Sequence, residues 1–173
     1  MTKIQSQSED YFWSVQRKIH IDSSKTEVWK IISSERNLEK FHPFCKTNEV
    51  ISWDGNNFID RIEYHNGRKL ERNFTEWFEG EGYDLVIGDS QGNDSLVSWR
   101  LEGDDSTSLL SINVKTYIFN KGKKIIKFVP FFLYTKPKLI SYLDSVLNGL
   151  KYYSETDTVV IQDQFGRHSW FSS

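Results

Sequence analysis

Six short apolar segments, separated by turn sequences, occupy the chain between Lys46 and Phe119. The separating sequences are DGNN, NGR, EGEG, DSQGND and EGDDST. Glycine, asparagine and aspartate favour turns because they tolerate positive φ or bond to their own backbone. Six strands with such short connections predict an antiparallel meander. An earlier segment, Phe12–Ile21, alternates apolar and polar side chains and predicts a seventh strand.

Two short helices are predicted directly after this first strand. Ser24 and Glu27 have the spacing of a capping box, in which each side chain accepts the other residue's backbone N–H. Asn37–Phe41 predicts one or two further turns of helix. These turns should end before Pro43, because a residue that precedes proline avoids the helical region. His42 is therefore expected to be extended.

A long amphipathic helix is predicted in the last third of the chain, from about Val129 to Ser154, with a kink at Pro137. The tail, residues 155–173, has no clear period, but its aromatic residues predict that it packs onto the body. The apolar residues of the helix recur at i, i+3, i+4, i+7, i+8 and i+11, the spacing of one helix face: Leu139, Tyr142, Leu143, Val146, Leu147 and Leu150.

The composition is that of one globular domain with a surplus of aromatic residues. A chain of this length buries roughly 70% of its unfolded surface, which is enough for a sizeable core. Phe, Tyr and Trp make up 15% of the residues. This surplus suits either a dense core or an apolar cavity lined by rings. No linker or repeat divides the chain, so we predict a single domain over residues 1–173, with residues 1–10 flexible.

The charge pattern argues against nucleic acid as a partner. The net charge is −2, and no basic run is large enough to cover a face of the protein. The nearest candidate is NKGKKIIK, Asn120–Lys127. We interpret it as a solvated turn, with binding of an acidic head group as the alternative.

The remaining chemistry suggests a reducing compartment. Cys45 is the one cysteine, which excludes a disulfide within the chain. The N-terminal residues have no apolar signal core, and no apolar run reaches about 18 residues. We therefore predict a cytoplasmic protein without stable membrane insertion.

Four stretches carry a resemblance to a known superfamily: KIHIDSSKTEVWKIISSERNLEKFHP, LERNFTEWFEGEGYDLVI, STSLLSINVKTYI and KPKLISYLDSVLNGLKYYSET. Together they resemble the START-like superfamily, which includes the birch-pollen allergen, plant hormone receptors, polyketide cyclase/dehydrase-like proteins and lipid-transfer START domains. The ending QFGRHSWFS is most similar to the bacterial cyclase/dehydrase-like members. The resemblance implies an α+β helix-grip fold, in which a curved seven-stranded antiparallel sheet wraps around a long C-terminal helix. It implies a shared cavity but no shared chemistry.

The resemblance also bears on which face of the segment FIDRIEYH points into this cavity. When the segment LERNF is matched to the pattern of the hormone receptors, the resemblance implies that Glu71 lies inside the pocket. The paired strand then points Arg61, Glu63 and His65 inward, and we predict that these residues form a polar cluster held by Arg–Glu contacts. The alternative is the opposite register, in which the inward side chains are Phe58, Asp60, Ile62 and Tyr64.

An apolar lining and an entrance complete the predicted site. The entrance is predicted at the corner formed by His42, Pro43 and Phe44. The lining is predicted from two neighbouring strands and the long helix: Tyr83, Leu85, Ile87, Val97, Trp99, Phe132, Leu139, Tyr142, Leu143 and Val146.

These features favour a carrier or sensor of a small hydrophobic ligand, such as a lipid, an isoprenoid or an aromatic, polyketide-like metabolite. The first alternative is a cyclase, aromatase or dehydratase-type enzyme, with His65 or Glu71 as acid/base and Arg61 or Tyr142 as donor. The second is a protein-interaction module. No paired-histidine spacing and no hydrolase or nucleotide-binding motif is present, so we predict no metal and no cofactor. The sequence predicts no particular oligomeric state.

Overall fold

The computed structural model describes residues 11–55 and 57–173. Residues 1–10, predicted to be flexible, lie outside the described residues. Seven antiparallel strands form one curved sheet in the order β1-β7-β6-β5-β4-β3-β2, which confirms the predicted meander. The strands are β1 (Val15–Ile21), β2 (Cys45–Asp54), β3 (Asn57–Tyr64), β4 (Lys69–Phe78), β5 (Gly82–Gly88), β6 (Ser95–Gly103) and β7 (Ser108–Lys115).

Two short helices follow β1, as predicted: α1 (Lys25–Ile32) and α2 (Leu38–Phe41). The Ser24 hydroxyl accepts the backbone N–H of Glu27 at 3.2 Å, which is one half of the predicted capping box. The Glu27 carboxylate instead accepts a hydrogen bond from Lys30 at 2.6 Å. His42 has φ −93° and ψ 110°, the extended backbone expected of a residue before proline.

The long C-terminal helix begins earlier than predicted. It consists of α3 (Lys124–Pro130), a π-helical turn (Phe131–Thr135) and α4 (Lys136–Thr156), which follow one another without a break. Proline in a helix cannot donate the i→i−4 hydrogen bond, and its ring crowds the preceding turn. The wider π turn lies between the two prolines of this helix, Pro130 and Pro137, and accommodates both. It takes the place of the predicted kink at Pro137.

A glycine sets how closely α4 approaches the corner after α2. A Cβ atom added at Gly149 would lie 2.1 Å from the carbonyl oxygen of Phe41 and 3.3 Å from the ring of Pro43. Only glycine allows this approach. Because the corner is held against α4, the side chain of His42 reaches the helix face that carries Tyr142.

The tail after α4 returns across the same corner. The Val160 N–H donates to the Lys40 carbonyl at 2.9 Å, and the Asp163 N–H donates to the Pro43 carbonyl at 3.0 Å. Further on, His168 and Phe171 are buried. None of the described helices combines the length and the apolar character needed to cross a bilayer.

Candidate ligand cavity

A cavity of about 110 Å³ lies between the concave face of the sheet and α4. A cavity needs a volume of roughly 10–15 Å³ to hold one water molecule, and an engineered apolar cavity of about 150 Å³ binds benzene. The cavity therefore has room for several waters or for a small organic molecule. Side chains from β3 to β7 and from α4 line it, and most of them are apolar.

Most of the predicted apolar lining reaches this cavity. Tyr83 does not: its ring is fully buried among Phe74, Trp77 and Trp99, beyond the cavity wall. Phe132 does not either, because its half-buried ring packs against Trp13 on the outer side of the helix. The predicted residues that line the cavity are Leu85, Ile87, Val97, Trp99, Leu139, Tyr142, Leu143 and Val146.

The predicted polar cluster lies on the opposite face of the sheet. The predicted Arg–Glu contact exists, since Arg61 lies 3.5 Å from Glu71, but both side chains are exposed to solvent. Glu63 accepts hydrogen bonds from lysines on the outer face, and His65 follows the end of β3 away from the cavity. The prediction that Arg61, Glu63, His65 and Glu71 point inward is therefore wrong. The possible acid/base roles of His65 and Glu71 lose their geometric basis.

The register of the β3–β4 hairpin has a clear energetic reason. The observed register buries Ile62, Tyr64 and Phe74 against the core. The opposite register would bury several charges, each of which costs several kcal/mol unless it is fully paired. One inward charge pair remains in the observed register, because Asp60 and Arg72 are direct neighbours across the two strands.

The predicted entrance is closed. His42, Pro43 and Phe44 are all buried, because the tail crosses the corner and bonds to it. Of the three residues, only His42 lines the cavity. The lining residues that keep partial exposure include Arg68, Tyr117 and Trp170. We define these three residues as the rim.

Three polar side chains of the cavity wall form a hydrogen-bonded group centred on Tyr142. The Tyr142 hydroxyl lies 2.9 Å from Nε2 of His42 and 3.2 Å from the hydroxyl of Tyr64. The Phe44 N–H donates to Nδ1 of His42 at 3.2 Å. Since Nδ1 accepts, the ring proton lies on Nε2, and His42 donates it to Tyr142.

All three groups are uncharged at neutral pH, and for His42 this is the effect of burial. Desolvation, together with the positive charge of Arg72, lowers the pKa of His42 to about 3. Desolvation raises the pKa of Tyr64 to about 12 and the pKa of Tyr142 further above its usual value. The cavity therefore offers neutral hydroxyl groups to a ligand, and His42 is too weak a base to take a proton at pH 7.

Replacing Tyr142 with phenylalanine tests this group. We expect Tyr142→Phe to lower the free energy of unfolding by about 1–3 kcal/mol, because the buried Nε2–H of His42 loses its acceptor. Urea denaturation measures the change. Tyr134→Phe is the matched control: Tyr134 lies on the same continuous helix and is 45% exposed, and its hydroxyl accepts an exposed hydrogen bond from Trp170 that water can replace. Equal effects of the two substitutions would show that the buried group adds no stability.

A second buried polar group lies beside the first. Arg72 is 4% exposed and Asp60 is fully buried. The Arg72 guanidinium donates to both carboxylate oxygens of Asp60, at 2.7 Å for Nε to Oδ1, and to the side-chain oxygen of Asn37 at 3.3 Å. This ion pair was not predicted, although its signal is present in the sequence: one acid and one base lie opposite each other at otherwise apolar inward positions.

The rim adds further polar groups to the cavity. The guanidinium of Arg68 donates to the Tyr117 hydroxyl at 3.0 Å and lies 5.8 Å from the ring centroid of Phe171. Across residues 11–55 and 57–173, no carboxylate forms an ion pair with Arg68. Asn66 donates to the Trp170 carbonyl at 2.7 Å, which fastens the tail to the β3–β4 hairpin.

Comparisons with known proteins bear on the fold. No protein-family model matches the chain. None of the curated proteins matches it either. Many solved structures do match, at low identity.

Three of these structures illustrate the kinds of protein that share this fold. A START superfamily protein from Mycobacterium smegmatis is 12% identical with a TM-score of 0.64, over 84% of this chain and 99% of that one. Ara h 8.0201 is 13% identical with a TM-score of 0.62, over 82% and 97%. The Zhui aromatase/cyclase from Streptomyces is 10% identical with a TM-score of 0.59, over 86% and 99%. At such identities the likeness concerns the fold alone. The chain therefore shares the fold of these structures, one of which is described as a START superfamily protein, and the predicted helix-grip fold is confirmed.

Proposed function

We propose that the protein binds a small hydrophobic molecule in the cavity between the sheet and α4, as a carrier or sensor. The observation that carries the proposal is an apolar cavity with a few convergent polar groups, the usual form of a small-molecule site. One solved structure with this fold is an aromatase/cyclase, which supports an aromatic ligand as one of the possible classes.

The size of the cavity favours the aromatic class over the other predicted ligands. Drug-sized ligands occupy pockets of roughly 300–1,000 Å³. A volume of about 110 Å³ suits a molecule of one ring or a short chain. A lipid or an isoprenoid is larger than this volume and would require the cavity to widen.

The polar groups suggest where an oxygen of the ligand would lie. Because the Tyr142 and Tyr64 hydroxyls share one hydrogen bond, one of them keeps a proton that it can donate to a carbonyl or hydroxyl group inside the cavity. Arg68 at the rim can pair with a carboxylate, because a guanidinium matches carboxylate geometry. We therefore propose a ligand with an apolar body and one oxygen-bearing group.

The two alternative functions have less support. The residues proposed as acid/base for an enzyme lie outside the cavity, and His42 inside it has a pKa of about 3. A protein-interaction module would be favoured by an exposed aromatic tail. Instead, Phe171 is buried and stacks on Tyr64, with ring centroids 4.2 Å apart.

A cavity-filling substitution tests the proposal. The wild-type protein should bind a single-ring aromatic acid such as benzoate saturably, since the cavity has room for one ring. Val97 lines the cavity on β6, and in Val97→Trp the larger side chain would fill it. We expect binding at least tenfold weaker, because the ligand would lose apolar contact with the cavity wall. Isothermal titration calorimetry measures binding by the wild type and by Val97→Trp.

Val86→Trp is the matched control. Val86 lies on the neighbouring strand and is half-buried, but it does not line the cavity. Binding should survive this substitution. Equal binding by Val97→Trp and the wild type would contradict the proposal. Native mass spectrometry of the freshly purified protein provides a second test, in which a discrete organic adduct supports carriage.

A further inference from the structure

The helix before α4 presents its apolar face to solvent. Ile125 is 91% exposed, Ile126 is 65% exposed and Leu133 is 78% exposed. Ile125, Val129 and Leu133 follow one another at intervals of four, so they form a continuous stripe on the helix. On the opposite side, Phe131 is 1% exposed and holds the helix against Trp13, with ring centroids 4.8 Å apart. A soluble surface rarely carries such a stripe without a partner.

The same region concentrates positive charge. Six lysines and no acidic residue lie between Thr116 and Leu143, although the whole chain has a net charge of −2. None of these lysines forms an ion pair with a carboxylate of the described residues. Lys121 and Lys127 lie instead over the rings of Tyr11 and Phe119, at 4.2 and 5.3 Å. Two exposed lysines stand at the start of α3 beside the stripe: Lys123, the N-cap residue, and Lys124.

The stripe ends at the rim of the cavity. The Trp170 indole N–H donates to the Tyr134 hydroxyl at 3.3 Å, and Trp170 itself lines the cavity. At the other side, Ile118 lines the cavity and directly precedes the basic turn. A surface that binds this stripe therefore lies next to the rim.

We propose that residues 119–134, the docking segment, bind the surface of an anionic lipid bilayer. The apolar stripe would enter the head-group region while the lysines contact anionic lipids, the arrangement of an amphipathic interfacial helix. The charge favours a lipid surface over a second copy of the chain, since two docking segments would bring two sets of unpaired lysines together. Nucleic acid would leave the stripe exposed. This peripheral contact would let an apolar molecule pass between the bilayer and the cavity.

Vesicle flotation tests the proposal with the full chain. The wild-type protein should float with phosphatidylcholine vesicles that contain phosphatidylserine, at least tenfold more than with phosphatidylcholine alone, and added salt should weaken this binding. Ile125→Ser/Ile126→Ser should reduce binding at least tenfold by removing apolar contact. Lys123→Glu/Lys124→Glu should do the same by reversing charge. All four residues are exposed, so the variants should fold, which circular dichroism verifies.

Two matched controls distinguish binding by the docking segment from nonspecific adsorption of the protein to vesicles. Val159→Ser/Ile161→Ser removes exposed apolar side chains, 56% and 70% exposed, from the tail. Lys18→Glu/Lys25→Glu reverses two charges elsewhere on the surface. Both controls should bind vesicles as the wild type does.

Several results would overturn the proposal. These are no binding to either vesicle, equal binding to both vesicles, or loss of binding in the controls as well. Dimerisation that disappears in Ile125→Ser/Ile126→Ser, without vesicle binding by the wild type, would identify a second copy as the occupant instead. The ligand titration with Val97→Trp is independent of these outcomes, so the two proposals can fail separately.

Discussion

Arg72→Met is expected to lower the free energy of unfolding by about 3–5 kcal/mol, the usual effect of removing one partner from a buried ion pair. Asp60 is fully buried, and Arg72 provides both of its charged hydrogen bonds. Without the guanidinium, the carboxylate would have to be protonated or hydrated inside the core. Urea denaturation at neutral pH measures the loss, and for a domain of this size it can approach half of the total stability.

Two further variants show whether the effect comes from the buried charge. Asp60→Leu/Arg72→Met removes both charges and should recover most of the loss, because an apolar pair of similar volume often replaces a buried ion pair without penalty. Arg61→Met is the matched control on the outer face of the same hairpin. Arg61 is 42% exposed where it pairs with Glu71, and an exposed pair contributes at most about 1 kcal/mol. A comparable loss in Arg61→Met would contradict the argument from burial.

The fold was predictable because its signals are local and repeated. Each turn between Lys46 and Phe119 carries its own glycine or asparagine, so an error at one turn leaves the meander intact. The face of α4 was predictable for the same reason, since Leu139, Leu143 and Val146 recur at helical spacing and all line the cavity. These patterns depend only on the period of the backbone and on the burial of apolar side chains.

The inward face of β3 shows where a resemblance overrode a physical signal. Matching LERNF to hormone receptors predicted that Glu71 points inward. The period of two residues along paired strands then predicted the same orientation for Arg61. The pattern of the chain itself favoured the other face, which carries Ile62 and Tyr64. The pairing of Asp60 with Arg72 would have decided the question, since it places the inward acid directly opposite the inward base.

The closed corner could not be predicted, because it depends on contacts made far along the chain. The tail has no period, and its path is fixed by backbone hydrogen bonds from Val160 to Lys40 and from Asp163 to Pro43. Local sequence does not encode such bonds. The start of the long helix has a different reason: apolar residues at helical spacing indicate the buried face of a helix, whereas Ile125 and Ile126 are exposed.

His42 should make the stability of the protein fall as the pH is lowered from about 6.5. Its pKa is about 3 in the folded protein and 6.5 when unperturbed, so the unfolded chain binds a proton that the folded chain excludes. The stability from this group is fully present above pH 6.5. It is lost as the pH falls towards 3, by about 1.4 kcal/mol per pH unit.

His42→Gln isolates this contribution. The glutamine amide can still donate towards Tyr142, but it does not titrate. Other groups, including the carboxylates and His168, are present in both proteins and cancel in the comparison. Between pH 7 and pH 5, urea denaturation should show the wild type losing about 2 kcal/mol more than the variant. Parallel pH profiles would mean that His42 is protonated in the folded protein as easily as in the unfolded chain. The neutral hydrogen-bonded group around Tyr142 would then not exist in the form described.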